Sequence, residues 1–114
     1  MEIQPLDNND FLVRQGKLAN RQALIDLNKK IIALGQELQK PVVATGDVHF
    51  LNPEDAIYRQ ILFAGQGYTD EAQAPLYLRN TEEMLAEFSY LDAETARQVV
   101  ITNPCTIVEQ IEEL

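Results

Sequence analysis

Between Lys17 and Gln39 the apolar residues Leu24, Leu27, Ile31, Leu34 and Leu38 recur at steps of three and four, with Ile25 and Ile32 widening the stripe. At 3.6 residues per turn this spacing gathers them on one side, so the stretch reads as an amphipathic helix. Pro41 stops it, because the proline ring cannot continue a helix. Val42, Val43, Ala44 and Thr45 then form a short apolar run of the kind that makes a strand buried on both faces. The next helix has a written start: Asn52 as N-cap, Pro53 at the first helical position, Glu54 and Asp55 where the helix dipole favours negative charge. Ile57, Ile61 and Ala64 are expected to face inward from it. Gly65 and Gly67 end it in a polar loop to about Asn80, within which Leu76, Tyr77 and Leu78 read as the ordered part.

Asn80 with Glu83 three residues on is a capping-box pattern, opening a helix that carries Met84, Phe88 and Leu91. Asp92 caps a further one, with Ala96, Val99 and Val100 inward. Asn103 and Pro104 repeat the Asn-Pro start, and Ile107, Ile111 and Leu114 are expected to form the apolar face of the last helix. Near the beginning, Glu2-Ile3-Gln4 and Phe11-Leu12-Val13 are strand candidates on either side of the turn-rich Asp7-Asn8-Asn9-Asp10. The pattern is therefore α/β and helix-rich, with five helices. Its first 50 residues read strand, helix, strand, for which a right-handed parallel crossover is the natural topology. There is no internal repeat and no low-complexity linker.

Length and charge narrow what such a chain does. At 114 residues it is one globular domain at most. The net charge of -9 argues against a free-standing nucleic-acid binder, whose affinity comes from neutralising phosphates, so any DNA contact is expected to be indirect. The charge is uneven: residues 1–50 carry six basic and six acidic side chains, residues 51–114 three basic and 12 acidic. The single cysteine, Cys105, excludes a disulfide framework and a cysteine-rich zinc module. No stretch approaches the ~20 apolar residues of a membrane span and no apolar leader follows Met1, so a cytoplasmic setting without membrane contact is expected.

The chemical candidates cluster after the apolar run. In Gly46-Asp47-Val48-His49 the carboxylate and the imidazole are two residues apart, which in extended chain places both on the same side of a sheet. At the carboxyl end of a parallel strand such a pair can hold a divalent metal, although three or four ligands are normally required and His49 is the only histidine. The plainer alternative has Asp47 capping a turn and His49 packed under Phe50. Glu2 is a second candidate, able to join the same site across the sheet or simply to be exposed. Cys105 reads as a buried or half-buried structural thiol rather than a nucleophile. Gly65-Gln66-Gly67-Tyr68 is a helix end and turn, since no strand leads into it and no lysine follows at P-loop spacing. Glu82, Glu83, Glu87, Glu94, Glu109, Glu112 and Glu113 share no spacing and read as a solvated face, with docking of a basic partner as the alternative.

Taken together, Glu2-Ile3-Gln4-Pro5, the run from Pro41 to Leu51, and Asp55 with Ile61-Leu62 resemble a known family. Pro75-Leu76-Tyr77-Leu78-Arg79, Thr81-Glu82-Glu83-Met84-Leu85, Glu87-Phe88-Ser89-Tyr90-Leu91 and Val99-Val100-Ile101-Thr102-Asn103-Pro104 continue the likeness over nearly the whole chain. It is similar to the C-terminal part of the PHP (polymerase and histidinol phosphatase) domain of bacterial replicative DNA polymerase III alpha subunits of the PolC type. The Asp-Val-His element is shared by many PHP proteins, whereas the helical segment after it points to a polymerase.

That resemblance implies a (β/α)7 barrel whose divalent metals, zinc or manganese, are held by ligands from several strands, the last pair falling here on Asp47 and His49. It further implies a parent that is a DNA-directed DNA polymerase, a nucleotidyltransferase, with an inserted 3'-5' exonuclease. Residues 1–52 are then expected to be the last strand-helix-strand unit of an incomplete barrel. Residues 53–114 would be a helical extension leading toward a polymerase core that follows Leu114. A barrel of this kind takes on the order of 200–250 residues, and one apolar strand does not close it. The partner is then the remainder of the polymerase chain, and DNA is reached only through it. Open strand edges and an uncovered helix face make an isolated copy a homo-oligomer, inactive alone. The rival expectation is an acidic helical interaction module without catalysis, in which the helices from Asn80 to Leu114 dock a partner.

Overall fold

Two short parallel strands organise the first half of the computed structural model, which describes residues 1–68 and 74–112. Strand β1 (Glu2–Ile3) lies beside β2 (Val43–Ala44), with Glu2 opposite Val43 and Ile3 opposite Ala44. The Val43 N–H donates to the Met1 carbonyl at 2.9 Å and the Thr45 N–H to that of Ile3 at 3.0 Å. A 3-10 turn (Leu6–Asn9), a single helical turn α1 (Phe11–Arg14) and the long helix α2 (Arg21–Glu37) connect them. The expected strand-helix-strand unit is present and the fold is α/β and helix-rich. The strand candidate at Phe11–Val13 is instead α1, because Asp10 keeps the helical winding of the preceding turn and its carbonyl accepts from the Val13 and Arg14 N–H groups.

Helix α2 starts later than the periodicity indicates, at Asn20, whose side chain accepts from the Ala23 N–H at 3.0 Å. Its inward residues are Leu24, Asn28, Ile32 and Gly35, while Leu27, Leu34 and Leu38 are exposed. The apolar stripe has been rotated away from the axis that its leucines define. One cause is Asn28, whose amide donates to the Gln4 carbonyl at 3.1 Å and to the Tyr90 hydroxyl at 2.8 Å. Burial pushes the Tyr90 hydroxyl pKa up, with the Asn28 bond opposing it. The other cause is Gly35: a Cβ there would stand 2.3 Å from the Val42 side chain and 3.0 Å from the Lys40 carbonyl. Only a glycine lets the helix lie this close to the strand that follows it.

The helix end explains how the chain turns so sharply. The Lys40 N–H returns to the Gly35 carbonyl at 2.9 Å and the Gln39 N–H to that of Gln36 at 3.2 Å. This is a Schellman closure, with Gln39 in the left-handed region at φ 53° where glycine is usual, and Pro41 shortly after it.

After β2, Pro53–Asp55 form a 3-10 turn leading into α3 (Ala56–Gly65), with the Asp55 carboxylate accepting from the Asn52 N–H at 2.9 Å. Helix α4 (Thr81–Glu87) has the expected capping box, Asn80 and Glu83 bonding each other's backbone N–H groups at 2.8 and 3.0 Å. Helix α5 (Ala93–Arg97) is capped by Asp92, which accepts from the Thr95 N–H at 2.9 Å. The Asn103–Pro104 pair starts no new helix. Residues Gln98–Thr102 wind as a π segment that runs straight into α6 (Asn103–Glu109). Pro104 has no N–H for the carbonyl four residues back, and the helix widens just before it. Asn103 is instead a tie to the sheet, its amide donating to the Val42 carbonyl at 2.7 Å.

One core takes residues from both halves: Ile3, Ile32 and Val42 from the strand-helix-strand unit meet Phe88, Ala96 and Val99. Phe88 is completely buried. Outside this core two expected faces lie open. Ile57, Ile61 and Ala64 on α3 are exposed, with Tyr58 and Leu62 beside them, since no described element lies over that helix. Ile107 and Ile111 are likewise exposed, and Leu114 falls outside the described residues.

Two substitutions separate close packing from backbone strain. Gly35→Ala should destabilise the chain by about 1–3 kcal/mol through forced separation of α2 from Val42. Gln39→Gly should stabilise it by about 0.5–1 kcal/mol by relieving the left-handed residue. Urea unfolding followed by circular dichroism reads both.

Candidate metal centre

The segment beyond β2 is held from two sides. The Asn8 amide, in the 3-10 turn after β1, donates to the Gly46 carbonyl at 3.0 Å, and Asn8 is itself buried. On the other side the Leu76 carbonyl accepts the His49 N–H at 2.8 Å and the Phe50 N–H at 3.3 Å, while the Leu78 N–H donates to the Phe50 carbonyl at 3.0 Å. Phe50 and Tyr77 thereby form an isolated parallel bridge. The ordered stretch expected at Leu76–Leu78 is a one-rung extension of the strand pattern, and the site lies between the two anchorages.

Asp47 and His49 do come together, though not by the alternation of an extended strand. Asp47 adopts φ 50°, so the chain turns there rather than at Gly46. That turn brings the His49 Nδ1 to 2.7 Å from the Asp47 backbone carbonyl and 3.8 Å from its carboxylate Oδ1. A carbonyl only accepts, so Nδ1 carries the proton, and in the neutral ring Nε2 presents its lone pair. Backbone bonding of this kind is how metal-ligating histidines are commonly oriented. Both side chains are exposed, His49 at 40% and Asp47 at 49%, so His49 is not packed under Phe50.

Glu2 is paired with Val43 at the start of the sheet, away from the turn that follows β2, and serves the strands. Its carboxylate accepts from the Thr45 hydroxyl and, at 3.0 Å, from the Gln4 amide. These bonds, the Thr45 one first, hold its pKa below the ordinary glutamate value. Among the described residues no three of His, Cys, Asp and Glu converge on one point. Asp47 and His49 are two adjacent donors, and a metal centre built on them would need further donors from outside the described residues. Cys105 lies apart and is exposed rather than buried or half-buried, because α6 turns no residue fully into the core.

Sequence reasoning missed two residues that shape this region. Asn8 was visible only as part of a turn-rich run. Arg79, one of three cations in residues 51–114, is buried: its Nε donates to Glu87 at 3.0 Å and its guanidinium lies 4.1 Å over the Tyr77 ring.

The Glu2 bonds give a pH dependence of definite sign. A carboxyl held below its unfolded value adds stability above the ordinary glutamate range, and this is lost as pH falls through the folded value. Between about pH 5 and pH 3 the urea midpoint should drop more steeply for the native chain than for Glu2→Gln.

Comparison with known proteins adds an independent line. No family model matches the chain. It is 51% identical over 113 residues, 98% of its length, to the PolC-type DNA polymerase III of Clostridium perfringens. Against that of Caldanaerobacter subterraneus identity is 54% over 115 residues, and against that of Halalkalibacterium halodurans 42% over 118, each covering the whole chain. The chain spans about 8% of the length of these curated relatives. Along essentially all of its sequence it is similar to one short segment of PolC-type DNA polymerase III, a much longer protein.

Proposed function

We propose that this chain acts as part of a PolC-type replicative DNA polymerase, as the end of its PHP domain, with Asp47 and His49 supplying the last two ligands of a metal centre. The observation that carries the reading is the similarity along the whole chain to PolC-type polymerases. Supporting it, the pair follows a strand in parallel pairing, and His49 has its Nδ1 committed to backbone and its Nε2 left for a ligand. The remaining donors would come from elsewhere in the parent. A zinc or manganese ion completed there would polarise a phosphoester and acidify bound water. The chain's own part is to hold two ligands at a fixed turn and to support the polymerase core through its helices. The exonuclease and nucleotidyltransferase activities belong to the rest of the parent.

The open face of α3 fits this reading. Ile57, Tyr58, Ile61 and Leu62 leave half or more of their surface to solvent along one side of a ten-residue helix. In the parent that face is covered by the remainder of the polymerase chain; in an isolated copy it is covered by a second copy. A second reading, an acidic docking module, draws on an apolar groove of about 490 Å³ between Leu85, Leu91, Ala96 and Ile101.

Zinc titration and light scattering test the proposal. The isolated chain should show no saturable binding at equimolar zinc, whereas the intact polymerase should retain zinc and lose it on His49→Ala. Tight one-to-one binding by the chain alone would overturn the two-ligand reading. The isolated chain should also be larger than a monomer, and Ile61→Asp with Leu62→Asp should convert it to a folded monomer whose melting temperature no longer rises with protein concentration. A native monomer with a sharp melt would favour the docking module instead.

A further inference from the structure

Arg79 is an uncommon residue to find inside a core of this size. Its side chain is 2% exposed, yet its donors are only partly used: Nε meets Glu87, and Nη1 is buried with no hydrogen-bond partner. A half-satisfied buried guanidinium costs stability relative to an apolar side chain of similar volume, so packing alone does not account for it. What it does is mechanical. Tyr77 and Arg79 are two apart in an extended stretch, and the guanidinium lies over the Tyr77 ring while reaching across to Glu87 at the far end of α4. Helix α4 leads directly into Phe88, the most buried residue of the core. Arg79 thus fastens the 76–79 stretch to the rigid part of the molecule at a fixed register.

That stretch carries the Leu76 carbonyl, which accepts both the His49 and the Phe50 N–H. Among the described residues a single bridge, Phe50 with Tyr77, pairs this stretch, so without an anchor the rung is free to slide. We propose that Arg79, through its ion pair with Glu87 and its stacking on Tyr77, is the positioning residue that sets where His49 presents Nε2. The inference rests on the metal-ligand reading of His49. It adds that the ligand geometry is set by a residue thirty positions away that touches neither ligand. An arginine is required because one planar group must both stack and donate edge-on, which lysine does not do.

The test uses the intact polymerase, numbered as here, with hydrogen exchange of the 45–51 segment and retention of zinc during dialysis against a chelator. Arg79→Met should speed exchange at the His49 and Phe50 amides and weaken zinc retention by about 10–100-fold, the usual effect of losing an outer partner of a metal ligand. Glu87→Gln should act in the same direction, and the double variant should be little worse than Arg79→Met, since both break one link. Arg79→Lys should restore little of either readout. Phe88→Leu is the control for general loosening: it should lower the melting temperature and leave exchange at 45–51 and zinc retention near native. If Arg79→Met changes them no more than Phe88→Leu, while His49→Ala abolishes zinc retention, the positioning role is overturned and the metal reading stands. If His49→Ala leaves zinc retention intact, the metal reading fails, and the inference with it.

Discussion

The close approach of α2 to Val42, possible only because residue 35 is glycine, is the contact on which the rest of the structure depends. A methyl group there would meet the Val42 side chain at 2.3 Å. With the helix pressed down, the chain reverses through Gln39 and enters β2 alongside β1. Val42 then reaches the core beside Ile32 and Phe88, and its carbonyl faces Asn103 on the last helix. One missing side chain thereby joins the long helix, the sheet and the C-terminal helices.

The polar contacts have a similar economy. Asn28 and Asn103 each bond a main-chain carbonyl of the strand region from a helix, and Asn8 does so from a turn, at Gly46. Each satisfies a carbonyl that two short strands leave unpaired, which matters because an unmet buried polar group costs about as much as a lost hydrogen bond. A two-stranded sheet is marginal alone. Here side-chain amides stand in for further strands.

The candidate metal pair illustrates how placement and chemistry come apart. Asp47 and His49 are next to each other because of a left-handed turn, and His49 is oriented by a backbone carbonyl rather than by a third ligand. The turn by itself brings together two donors and, among the described residues, no third. The open apolar side of α3 likewise has no cover among the described residues.

Much of this was legible in the chain itself. The strand after Pro41, the caps at Asn80 and Asp92, and the buried residues Phe88, Ala96 and Val99 follow from local pattern, because caps and breakers act within one turn of backbone, whereas Asp47 and His49 meet through a left-handed turn that strand alternation does not give. What tertiary structure decided was which side of each helix faces in. Leu27, Leu34 and Leu38 lost the interior to Asn28 and Gly35, since a partner for an amide and room for a neighbouring strand are properties of the neighbours. Asn103 looked like a cap and became a tie for the same reason, and the burial of Arg79 against Glu87 and Tyr77 had no signal in the local pattern. Periodicity records how apolar a face is; it does not record what stands opposite.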